Sequence, residues 1–184
     1  MAHAKFMSAD EAIAMICDGD TVAIVGGGGD LEEAAELFAA VERRLQKTSG
    51  PRNLSLVHSL GVGDRKTRGV SCFAHEGLVR KVTGGHWVWS PRMQELARAN
   101  KIEAYVLPGG VVMQLYREIG ARRPGLISRV GLGTFVDPRL EGAENPMPAE
   151  AQRRGAATLR RRAFQRKHSS GTSAFIAGTS GARG

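Results

Sequence analysis

The run "TVAIV" (Thr21–Val25) constrains the fold more than any other stretch, because four glycines, Gly26 to Gly29, follow it directly. It is continuously apolar and mostly β-branched, the pattern of a strand covered on both faces. Asp30 is then placed to cap a helix in which Leu31, Ala34, Ala35, Phe38, Val41 and Leu45 recur at helical spacing. Strand-like and helix-like segments go on alternating. "LSLVHS" (Leu54–Ser59), "IEAYVL" (Ile102–Leu107) and "LGTFVD" (Leu132–Asp137) read as further strands. "MSADEAIAMICDG" reads as a helix with Ser8 and Glu11 at capping-box spacing and Gly19 as its stop. "SPRMQELARAN" has Ser90 as cap and Pro91 at the first helical position, and "VVMQLYREIG" puts Val112, Leu115, Tyr116 and Ile119 on one helical face. "FAHEGLVRKVTGGHW" reads as a short helix and a turn. The alternation predicts the α/β class, with an open, mostly parallel sheet flanked by helices. Ligands of such sheets bind beyond the carboxyl ends of the strands, which singles out the glycine turns after Val25 and after Leu107.

Charge divides the 184 residues in two. Residues 151–184 hold eight Lys+Arg and no acid, so they carry the whole net charge of +8, while residues 1–150 balance 18 basic against 18 acidic residues. The body has no net bias toward nucleic acid or an anionic membrane. The tail has four large apolar residues, Leu159, Phe164, Phe175 and Ile176, too few to offset chain entropy. A folded domain over residues 1–145 and a disordered, basic, low-complexity tail over 146–184 are expected. No signal peptide and no run of about 20 apolar residues is visible, so a soluble, cytoplasmic setting is expected. Cys17 and Cys72 are then read as buried thiols.

Standard site motifs fit poorly. From Gly26 the third glycine of a dinucleotide fingerprint would fall on Leu31, and from Gly27 on Glu32. "GVGDRKT" lacks the glycine before Lys66 that a Walker loop needs. Cys72, His75 and His86 match no common zinc spacing, and no metal site is expected. His75 and Glu76 are adjacent, so on a helix they point apart rather than forming an acid/base pair. Trp87 and Trp89 in "HWVW" read as a strand or core anchor rather than a base-stacking platform.

Three ordered blocks, "GDRKTRGVSCFAHEGLVRKVTGGHW", "LARANKIEAYVLPGGV" and "RPGLISRVGLGTFVDPRLEG", carry a family likeness. From about Met7 to Glu144 the chain resembles the N-terminal, alpha-type half of family I CoA-transferases, most closely the single-chain acetate/3-oxoacid enzymes. The resemblance implies two similar α/β domains with the active site between them. It also implies that a glutamate attacks an acyl-CoA thioester and becomes a glutamyl-CoA, from which a short-chain carboxylic or 3-oxo acid takes the CoA. A covalent intermediate of this kind splits one difficult transfer into two easier ones.

Coenzyme A is then a substrate rather than a bound cofactor, and the implied partner is a C-terminal half or a further copy of the chain. Gly26, Gly27, Gly28, Pro108, Gly109 and Gly110 are the implied substrate-binding residues. No catalytic residue is assigned, because the family's glutamate belongs to the C-terminal half; Glu144 lies at the end of the N-terminal half and is not that residue. The chain alone is expected to be inactive.

The sequence departs from its relatives at two turns: Gly109 stands where they carry Gln, and Gly28 where they carry an aromatic or aliphatic residue. Near Asn145 the resemblance stops, and the Arg/Ala/Gly/Ser-rich remainder is read as a frameshifted or otherwise aberrant end. Competing readings are a basic-tailed nucleic-acid-binding module, a non-catalytic remnant, and a sugar-phosphate isomerase on a similar sheet. Specific nucleic-acid binding is not expected, because the tail lacks interleaved aromatics beyond Phe164 and Phe175.

Overall fold

The computed structural model describes residues 6–27, 31–137, 140 and 175–177. The elements run α1 (Ala9–Ala14), β1 (Thr21–Ile24), α2 (Ala35–Thr48), β2 (Leu54–His58), a 3-10 turn (Gly69–Phe73), β3 (Val79–Gly84), α3 (Pro91–Arg98), β4 (Glu103–Val106), α4 (Gly109–Gly120), β5 (Leu126–Ser128) and β6 (Phe175–Ala177). Strands β1 to β4 form one parallel sheet in the order β1-β2-β3-β4. The α/β class with an open parallel sheet is therefore as expected. Strands β5 and β6 pair separately and antiparallel.

One main core lies beneath α1, α2, the 3-10 turn and α3. Leu54, Leu56, Val79, Val82 and Ala104 enter it from the sheet, and Phe38, Val41, Phe73 and Met93 from the helices and the 3-10 turn. Phe38 and Phe73 meet edge to face at 5.7 Å, the arrangement ring quadrupoles favour. Helix α4 buries Val111, Val112 and Leu115, and Val111 packs in a smaller cluster with Leu107, Leu126 and Leu132.

The structure differs from the sequence reading in several places. Strand β1 is not covered on both faces: Thr21 and Ala23 are exposed, as is Val25 just past its end, and only Ile24 of the strand is buried. Helix α1 keeps its Ser8–Glu11 capping box but ends at Ala14, well before Gly19. Helix α2 starts at Ala35 rather than after Asp30, because Gly27 N–H closes on Leu31 O and residues 31–34 are used in that turn. Asp30 lies outside the described residues.

Strand β3 was read as helix and turn. Its cations hid it: Arg80 turns outward to Ser55 Oγ (3.2 Å), and Lys81 lays its ammonium 4.8 Å over the Tyr105 ring. Residues 132–137 form turns, not a strand. Gly131 and Gly133 have positive φ, Thr134 Oγ1 donates to Gly131 O, and Asp137 Oδ2 accepts from Gly133 N–H, so local bonds displace a ladder. Cys72 is buried as expected, but Cys17 is exposed; both are free thiols. Of the basic tail only Phe175–Ala177 is described, as β6; the rest of 146–184 lies outside the described residues.

Candidate functional site

The register of the sheet brings four loops together. Ile24, His58, Gly84 and Val106 occupy one row across β1 to β4, so all four strands finish level. The loops that follow start side by side at Val25, Ser59, Gly85 and Leu107. This carboxyl edge is where an open α/β sheet holds its ligand.

Close packing at this edge explains most of its glycines. A Cβ on Gly26 would stand 2.9 Å from Glu33 Cγ, and one on Gly109 would stand 2.9 Å from Ser59 O. Gly85 presses still closer on Ser59 O, and Gly61 on the rings of His86 and Trp89. Of the expected substrate-binding residues, Gly27 is exposed in the first turn, Pro108 precedes α4, and Gly110 has open space where a Cβ would be. Gly28 lies outside the described residues. The structure thus brings the Gly26–Gly27 turn and the Pro108–Gly110 turn to the same edge, with the β2 and β3 loops between them.

Sequence reasoning missed the side chains that fix this edge. His58 ends β2 with only 1 % of its surface exposed. Its Nδ1 lies 2.7 Å from Leu60 O, and its Nε2 accepts the Trp87 indole N–H at 3.0 Å. Only the neutral tautomer with the proton on Nδ1 satisfies both contacts. Burial pushes the His58 pKa down to about 4, outweighing the hydrogen bond to Leu60, and nearby His86 lowers it further. His58 is thus an uncharged clamp between the β2 and β3 loops. Trp87 is an anchor, as expected, but in a turn and not a strand.

Tyr116, on α4, directs its hydroxyl at Ile24 O and Val57 O, both 3.1 Å away, and so ties α4 to the ends of β1 and β2. Burial raises its pKa, and hydrogen bonds from Ser59 pull the other way. Glu33 Oε1 accepts Gly63 N–H at 2.8 Å, joining the first glycine turn to the β2 loop. His86 Nε2 accepts Gly61 N–H at 3.2 Å.

The remaining candidates do not converge. His75 Nε2 lies 2.8 Å from Glu42 Oε1 and 3.2 Å from the Arg92 guanidinium, whereas Glu76 pairs with Lys101. His75 and Glu76 therefore face different partners. Cys72 bonds back to Thr67 O, and burial first, then Glu42, pushes its thiol up to about 11. Among the described residues no group of three or more His, Cys, Asp or Glu side chains could hold a metal ion. No helix among them is long and apolar enough to cross a membrane.

The level strand ends present glycine-rich backbone along one edge of the parallel sheet, and the chain belongs to the coenzyme A transferase family, whose model matches residues 6–172. That match runs past residue 145, where the resemblance was expected to stop. The chain is 47% identical over 138 residues to an acetate CoA-transferase, YdiF, of Escherichia coli strain K12, covering 75% of this chain and 26% of that protein. It is 46% identical over 143 residues to a caffeate CoA-transferase of Acetobacterium woodii, covering 77% and 27%. A crystal structure of the acyl-CoA transferase YdiF of Escherichia coli O157:H7, a thioester complex with CoA, superposes with a TM-score of 0.74 at 46% identity, over 76% of this chain and 27% of that one. The chain therefore spans about a quarter of the length of the curated relatives it matches.

Proposed function

We propose that this chain forms one wall of the acyl-CoA cleft of a cytoplasmic CoA-transferase, an enzyme that moves CoA from an acyl-CoA to a short-chain carboxylic or 3-oxo acid. The observation that carries this reading is the level row Ile24–His58–Gly84–Val106, with glycine-rich loops leading off it. Gly26 and Gly109 let the turns pack on Glu33 and Ser59, and the exposed Gly27 and Gly110 let a thioester and its acceptor carboxylate approach main chain, where N–H groups can stabilise an oxyanion. The nucleophilic glutamate comes from a C-terminal half, and without that half the chain turns over no substrate. The neutral His58 and the carbonyl-bound Tyr116 hold the wall and take no part in proton transfer.

The test is to mix the chain with the C-terminal half of an acetate CoA-transferase and follow CoA exchange between an acyl-CoA and acetate. Exchange in the mixture and in neither half alone supports the reading. A stable complex of the two that exchanges no CoA overturns it.

A further inference from the structure

We propose that the loop Asp64–Arg68, which follows β2 on the same edge of the sheet, is the subsite for the phosphate groups of the CoA nucleotide; this rests on the CoA-transferase reading above. The loop is built so that its acceptors face inward and its cations outward. Arg65 N–H donates to Trp89 O at 2.9 Å, and Asp64 Oδ1 accepts from Lys66 N–H (2.8 Å) and Arg68 N–H (3.1 Å). The carbonyls of Lys66, Thr67 and Arg68 are taken by Ser71 Oγ, Cys72 Sγ and Ser71 N–H. Gly63, at φ +134°, is wedged where a Cβ would lie 2.6 Å from Trp89 O and 2.8 Å from Arg68 O. The loop can hardly shift without breaking these contacts.

What it turns to solvent is Arg65, Lys66, Thr67 and Arg68, all exposed. The one acid in the loop is engaged with main chain. Burial would raise the Asp64 pKa, but hydrogen bonds from Arg68, Lys66 and neighbouring backbone outweigh it and hold the carboxyl below its usual range. Several basic side chains elsewhere are matched to acids, such as Arg43 with Asp10 and Glu36, or Arg123 with Glu118. Arg65 instead lies with its guanidinium 4.2 Å over the Trp89 ring. Stacking of this kind leaves the N–H fork free to point at an anion, and phosphate takes such a fork in two parallel bonds. A neutral body with a fixed cationic loop beside its cleft also concentrates an anionic substrate there.

Trp87 and Trp89 are the only tryptophans, so indole emission reports directly on this loop. The full chain is titrated at low salt with CoA, with adenosine 3′-phosphate 5′-diphosphate, and with pantetheine, which has no phosphate. The same titrations follow on Lys66→Gln, on Arg65→Gln/Lys66→Gln, and on Arg122→Gln beyond the far end of α4 as control. The proposal predicts that both phosphorylated ligands bind and change the emission. The double variant binds them at least about tenfold more weakly, Lys66→Gln less so, and the control as wild type. Lys66→Gln keeps the Arg65 stack, so it still tests the proposal if the double variant melts early. Equal CoA binding by wild type and both variants overturns the loop assignment and leaves the CoA-transferase reading standing. Failure of wild type to bind either phosphorylated ligand also overturns it, while the reading itself answers to the exchange assay. Duplex DNA displacing the nucleotide and binding more tightly through the same residues overturns it in favour of nucleic-acid contact.

Discussion

Lowering the pH from 7 to 5 should weaken the fold through His58, and the size of the loss follows from its surroundings. The ring is 1 % exposed and both nitrogens are used as a neutral imidazole must use them. In the unfolded chain His58 takes up a proton near pH 6.5, whereas in the fold it does so only near pH 4. Between those values the unfolded state binds more protons, so stability is complete above pH 6.5 and falls as the pH drops toward 4. At about 1.4 kcal/mol per pH unit the whole effect is about 3 kcal/mol, of which about 2 kcal/mol is lost between pH 7 and pH 5. Urea unfolding followed by tryptophan emission at both pH values measures it. His58→Gln removes the titration: it should be less stable at pH 7 by about 1–3 kcal/mol, for the contacts it leaves unmade, but lose little more on going to pH 5. A wild-type loss below about 0.5 kcal/mol, or an equal loss in His58→Gln, would refute the buried neutral clamp.

Tyr116→Phe leaves Ile24 O and Val57 O without the phenol donor; it should cost about 1 kcal/mol and speed amide exchange in the turns after β1 and β2, read by hydrogen exchange. Gly109→Gln, although it writes in the residue the family resemblance leads one to expect, should lower the melting temperature, at a cost of about 1–3 kcal/mol, because its Cβ meets Ser59 O at 2.9 Å. Iodoacetamide at pH 8 should label exposed Cys17 and spare Cys72, whose buried thiol ionises only near pH 11; mass spectrometry of the labelled peptides decides. Ser8→Ala removes the hydroxyl arm of the α1 capping box, keeps the Ser8 N–H bond to Glu11, and should cost about 1 kcal/mol in thermal unfolding.

How much of this was legible depended on whether a signal was local. Leu54–His58 and Glu103–Val106 could be read as strands because most residues in them are apolar and none is exposed, and the Ser8–Glu11 box because capping is a four-residue matter. Strand β3 could not be, since Arg80 and Lys81 interrupt its pattern and find partners such as Ser55, Glu103 and Tyr105 on neighbouring strands. Phe135 and Val136 beside Thr134 look like a strand until the glycines at 131 and 133 are seen at positive φ. At the site, the glycine turns were visible, but their reason was not: Gly26 answers to Glu33, Gly109 to the loop after β2. His58 and Tyr116 are silent in sequence because Trp87 lies 29 residues from His58, and the carbonyls that Tyr116 meets lie 59 or more residues away.

The central claim, that the carboxyl edge of this sheet is the acyl-CoA wall, is tested most directly by labelling. An acyl-CoA bearing a diazirine on the acyl group is photolysed with the chain assembled on a CoA-transferase C-terminal half, and the modified peptides are mapped. The account predicts insertion within residues 25–27, 59–63, 85–89 and 107–110, abolished by excess unlabelled acyl-CoA. Competable labelling confined to α1, α2 or α3 would contradict it.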